Sequence, residues 1–114
     1  MATTKAKSKL VDSPAVAAVS LLPMESLTAA AVCLKVLAHP VRLRIVDLLM
    51  QGEFPVHQIA RLCDTPAHQT CEHLRLMQGH GLLSAKRRGR AVFYAIASPN
   101  LPGVLECIRR NCGL

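Results

Sequence analysis

The sequence predicts a mainly α-helical fold closed by one β-hairpin, in the order α-α-α-α-β-β-α. Apolar residues recur at helical spacing from about Glu25 to Gln78, cut into short lengths by Pro and Gly. Two of those helices are joined only by the turn Asp64-Thr65-Pro66. After Gly81 the apolar period falls to two, with Leu83 and Ala85 before, and Val92, Tyr94 and Ile96 after, the polar stretch Lys86-Arg87-Arg88-Gly89-Arg90. Short helix, tight turn, second helix, hairpin and final helix is the order of a winged helix-turn-helix.

Residues 1–20 read as a flexible tail: the first thirteen are polar, basic and without period. Residues 21–114 read as one folded domain. Its first helix starts near Glu25 and carries Leu27, Ala31, Leu34 and Ala38 on one face, with Val32, Cys33 and Val36 opposite. A helix apolar on both sides must be covered on both sides, so a second subunit is the expected second cover. Pro40 suits the first position of the next helix, whose core residues are Val41, Ile45, Leu48 and Leu49 and which ends at Gln51-Gly52. Pro55 opens a third helix with Val56, Ile59 and Leu62 inward. Thr65 is placed to cap the fourth, with Pro66 at its first position. Gly79 and Gly81 offer its stop. The last helix puts Leu101, Leu105, Ile108 and Cys112 on one face.

The chain has 114 residues and a formal charge of +7, an excess that favours a polyanionic partner, nucleic acid before an anionic membrane. Phe54, Phe93 and Tyr94 are its only aromatic residues, too few for a base-stacking platform. The apolar run Ala15 to Leu22 is too short to span a bilayer. Five cysteines, an odd number with no CxxC pair, argue against a disulfide framework and for a reducing cytoplasm. No paired acids, Ser-His-Asp set or phosphate-cradling loop speaks for an enzyme.

LKVLAHPVRLRIVDLL, EHLRLMQGHGLL and RRGRAVFYAI together resemble the ArsR/SmtB family of bacterial repressors, over roughly residues 25 to 112. The resemblance implies a homodimer that binds double-stranded operator DNA, with the first and last helices at the dimer interface. It does not carry a metal site over. One family site uses a Cys-x-Cys pair, where this chain has Pro55 and His57. Another uses Asp and His on the last helix, and no histidine follows His80.

The segment DTPAHQTCEHLRLMQGHG raises the question of a metal site of its own. At about 100° per residue, Thr70, Leu74 and Met77 share the core face, and Cys71 and His73 lie roughly 160° apart. They cannot close on one ion, and His68 with Cys71 supplies only two ligands. Cys71 reads as a small flank residue and His73 as a packed histidine bonded to the neighbouring helix. The outward set is His68, Gln69, Glu72 and Arg75, side chains able to reach phosphates and base edges in a major groove. Lys86, Arg87, Arg88 and Arg90 are expected to track phosphates or enter the minor groove.

Thiol chemistry is then expected at Cys33, Cys107 and Cys112, which could meet across a dimer to hold a thiolate-bound metal or metalloid ion, or form a redox disulfide. The competing reading for each is a small buried apolar residue. For the whole chain, the expected function is a repressor released by a metal, metalloid or thiol-reactive signal. The alternative is a winged-helix protein-interaction module without sequence-specific DNA binding.

Overall fold

The structure, a computed structural model, describes residues 17–112. Most of the expected N-terminal tail therefore lies outside the described residues. The elements run α1 (Met24–Leu37), α2 (Pro40–Leu49), β1 (Phe54–Pro55), α3 (Val56–Leu62), α4 (Ala67–Gly79), β2 (Leu83–Arg88), β3 (Ala91–Ile96) and α5 (Leu101–Asn111). Contacts divide the chain after Ala30. In the segment before that point every described residue is exposed, Leu21, Leu22, Met24 and Leu27 among them.

The segment after Ala30 has one core, filled by Leu37, Ile45, Val46, Ile59, Leu74, Met77 and Leu101 among others, with Cys33 packed at its edge. From α1 it takes Val36 and Leu37, while Val32 and Leu34 stay exposed. The apolar pattern of α1 thus exceeds what this core can cover.

His39 sits between α1 and α2 in an extended conformation, and its Nδ1 accepts the N–H of Val41 at 3.2 Å. That bond satisfies one of the free donors at the start of α2, with Pro40 in the first turn as expected.

The α3–α4 turn closes by backbone geometry. Asp64 adopts a left-handed φ of 54°, Thr65 N–H donates to Ala60 O at 3.0 Å and Asp64 N–H to Arg61 O at 3.2 Å. This pair of bonds is the Schellman arrangement, which ends α3 and turns the chain towards α4. Here three expectations are corrected: Thr65 as the cap of α4, Pro66 as its first residue, and Leu62 as a core residue. Thr65 does not cap α4: its hydroxyl donates back to Cys63 O, and Pro66 is the cap residue without a side-chain bond. Leu62 points outward and is 57% exposed, because the short helix turns Ile59, Ala60 and Cys63 inward instead.

At the other end of α4, Gly81 has φ 76°, with Leu82 N–H bonded to Met77 O and Gly81 N–H to Gln78 O. The same arrangement recurs, with glycine at the left-handed position.

The sheet has three strands in the order β1-β3-β2, all antiparallel. The expected hairpin is present, but its tip is narrower than the basic stretch. Lys86, Arg87 and Arg88 pair with Phe93, Val92 and Ala91 within the strands, leaving Gly89-Arg90 as the turn. Gly89, at φ 62°, takes the first central position, where a two-residue loop of the II′ kind needs glycine. The third strand, β1, was not expected; its Pro55 lies opposite Phe93 at the sheet edge, where a missing N–H is tolerated.

In α5, Leu101 and Leu105 enter the core, whereas Cys112 is exposed at the helix end, against expectation. The helix stops one residue before it, so the wheel that put Cys112 inward no longer applies. Asp47 of α2 pairs with Arg109 of α5 on the surface.

Candidate nucleic-acid interface

Helix α4 separates into the two faces its spacing implies. Thr70, Leu74 and Met77 are fully buried, and the Thr70 hydroxyl donates to Pro66 O at 3.0 Å, which lets a polar group enter the core. His68, Gln69, Glu72 and Arg75 are all exposed. Cys71 is half-buried on one flank.

His73 occupies the other flank, engaged with α2. Arg42 Nε donates to His73 Nδ1 at 3.1 Å, and Arg42 Nη1 donates to Val36 O at 2.8 Å. The His39 ring lies 4.7 Å from that of His73, tilted by 56°. Burial first, then His39 and Arg42, push the His73 imidazole below the usual histidine range, with Glu72 opposing. His73 is therefore a neutral acceptor in a packed junction, the role its position on the wheel suggested.

The basic residues of the wing are not equivalent. Arg88 is held by Glu53 at 2.6 Å and lies 5.1 Å from the centre of the Phe93 ring. Among the described residues, Lys86, Arg87 and Arg90 are exposed and appear in no such ion pair. Strand alternation sets Arg87 on the face of Val92, and Lys86 and Arg88 on the other. The wing thus offers cations in two directions.

Two open grooves add residues that the sequence reading passed over. One is lined by Pro55, His57, Ala67, Arg90 and Val92, so that the wing tip and the start of α4 face a common space. The second, lined by His57, Arg61, Asp64 and Thr65, follows the outside of the turn. His57 and Arg61 are one turn apart on the exposed side of α3, and their i, i+4 spacing was the available signal.

Cys107 and Cys112 are exposed and Cys33 is half-buried. Among the described residues, no three His, Cys, Asp or Glu side chains come together to hold an ion. Among the described residues, the three thiols of one protomer therefore do not form a three-thiolate site.

A two-helix unit with an exposed polar second helix, flanked by a basic hairpin, defines a winged helix-turn-helix. A helix-turn-helix domain family matches residues 37–84. The chain belongs to the ArsR/SmtB family of winged-helix transcriptional regulators. It is 33% identical over 76 residues to the transcriptional repressor PagR of Bacillus anthracis, covering 66% of this chain and 76% of PagR. The PagR crystal structure aligns with a TM-score of 0.67, 32% identity, and 75% and 99% of the two chains covered. The repressor SmtB of Mycobacterium tuberculosis is 32% identical over 83 residues, 73% of this chain, which spans 62% of the SmtB length. A solution structure of a homodimeric winged helix-turn-helix DNA-binding domain from Mycobacterium bovis aligns with a TM-score of 0.70 and 29% identity, covering 84% of this chain and 89% of that one.

Proposed function

We propose that this protein is a homodimeric, DNA-binding transcriptional repressor in which α4 reads the major groove and the wing holds phosphates. The observation that carries the reading is the outward face of α4, His68, Gln69, Glu72 and Arg75, beside the exposed cations of the wing. Gln69 can bond adenine in two places, Arg75 can reach guanine or phosphate, and Glu72 can accept from cytosine or repel a wrong base. Lys86, Arg87 and Arg90, with Arg88 when it leaves Glu53, supply the sequence-independent part of the affinity.

Dimerisation is supported by the homodimeric relative from Mycobacterium bovis and by the apolar side chains that α1 and its lead-in leave in water. Two copies would present their α4 helices to successive major grooves, roughly 34–36 Å apart. The releasing signal proposed is thiol-directed, since Cys107 on the last helix and Cys112 just past its end stand exposed. Soft ions and oxidants are the reagents such thiols meet.

A mobility shift with the DNA upstream of the protein's own gene tests the reading. Binding that survives excess unrelated duplex, and is lost on adding arsenite, cadmium, zinc, copper or peroxide, is the expected result. Weak binding indifferent to sequence, from a stable dimer, would instead make the protein an interaction module.

A further inference from the structure

We propose that the Arg42–His73 hydrogen bond is a positioning joint for the DNA-reading helix, and that protonation of His73 releases it and lowers DNA affinity. The inference rests on the DNA-binding reading above and concerns a residue outside the proposed DNA contacts, on the flank of α4 bonded to α2.

The joint ties three elements with one side chain. The Arg42 guanidinium, rooted in α2, holds the last turn of α1 through Val36 O and the middle of α4 through His73 Nδ1. Few devices could set the rotation of α4 so directly, because the guanidinium is planar and its donors have a fixed spread. The bond has a strict requirement. A guanidinium only donates, so His73 Nδ1 must be a bare lone pair and its ring proton must sit on Nε2.

The neighbours sharpen this requirement. The charged and titratable groups facing His73 are His39, Arg42 and, from its own helix, Glu72. His39 Nδ1 is itself an acceptor, from Val41 N–H, so its ring too has its proton on Nε2. A proton added at His73 Nδ1 meets the Arg42 N–H directly. That proton places a cation beside Arg42, with Glu72 of the same helix as the opposing charge. The low-energy response is for His73 and Arg42 to part, which frees α4 from α1 and α2 on that flank.

The sign is diagnostic. Histidines near DNA ordinarily gain affinity as they protonate, since phosphates favour positive charge. His73 acts in the opposite direction. By linkage, if the neutral form binds better, then bound DNA must make His73 harder to protonate than in the free protein.

The test uses the full chain and a duplex selected from a random pool by the wild-type protein at pH 7.5. Affinity is compared with that of His73→Gln, whose amide oxygen can accept from Arg42 and cannot titrate. As the pH is lowered from 7.5 the wild type should lose affinity relative to His73→Gln, by up to about fivefold once His73 is protonated, the factor that one ordinary hydrogen bond represents. In the wild type alone, NMR of the ring nitrogens should find Nδ1 unprotonated, and a His73 midpoint that moves down when DNA binds. Parallel pH profiles, or a midpoint that moves up on DNA, overturn the joint while leaving DNA binding intact. Failure of the selection to yield any bound duplex overturns the DNA reading, and this inference with it.

Discussion

Arg88 is held by Glu53 at 2.6 Å and covers the Phe93 ring at 5.1 Å, so one of the four wing cations is already occupied within the protein. Both charged groups are about half exposed, and an ion pair of that kind stabilises little. Its consequence lies in DNA binding. Arg87→Ala should weaken binding to all duplexes and reduce the salt slope by about one. Arg88→Ala should change the slope less, because Arg88 must first leave Glu53. Glu53→Gln should raise affinity and steepen the slope, by freeing a cation and removing a negative charge. Titrations of a fluorescent duplex at several salt concentrations decide this, and equal slopes for the two arginine variants would contradict it.

Asp64 holds a left-handed conformation that glycine adopts without strain. The open groove beside it imposes no steric need for a side chain. Asp64→Gly should therefore keep or raise thermal stability. Asp64→Val should lower it by about 1–2 kcal/mol, the penalty for a β-branched residue there. Chemical denaturation of the two variants measures the difference, and equal midpoints would show that the turn is set elsewhere.

The helical frame was legible because spacing alone fixes it. Thr70, Leu74 and Met77 repeat once per turn and are all fully buried. The seven-residue α3 offers only two turns, too few for spacing to fix its inward face: Leu62 was expected inward and is exposed, while Cys63 is buried. Strand β1 has two residues, one of them proline, and leaves no periodic trace. At the site, the outward face of α4 could be read from the wheel, and so could the engaged His73. Its donor could not, since Arg42 and His73 meet only through tertiary packing. The Glu53–Arg88 pair escaped for the same reason, and the run of basic residues read as uniform when it is not.

Stability should fall with acidity through His73. Burial, then His39 and Arg42, hold its folded-state pKa below the unfolded value, which is about 6.5. Between those two values the unfolded chain binds more protons than the native one, so stability rises with pH. Stability from this group is full above about pH 6.5 and declines as pH falls through the folded value. Thermal melts between pH 7.5 and 5 should show a decline that His73→Gln makes shallower. An unchanged slope in that variant would place the acid sensitivity in other groups.

Cysteine reactivity should follow exposure. Cys107 and Cys112 are open to reagent, Cys33 and Cys71 are half-buried, and Cys63 is enclosed. Desolvation by burial raises the Cys63 thiol pKa, which disfavours its reactive thiolate further. A disulfide reagent at pH 7.5 should therefore label Cys107 and Cys112 first and Cys63 only as the chain unfolds. Mass spectrometry of quenched samples reads the order. Early labelling of Cys63 would mean that the α3–α4 unit opens readily in the native state.

Leu34 is 54% exposed and Val32 46% exposed, on a helix whose other face already fills the core. Unpartnered apolar side chains on a helix of a stable domain call for a cover, and a second copy brings the same surface by symmetry. Leu34→Glu should therefore give a monomer in sedimentation or light scattering. Its core residues are untouched, so far-UV circular dichroism should stay as in the wild type. DNA affinity should drop towards the non-specific level, on the order of 10³-fold, because one α4 alone can engage only one half-site. A Leu34→Glu protein that remains dimeric would move the dimer interface off this part of α1.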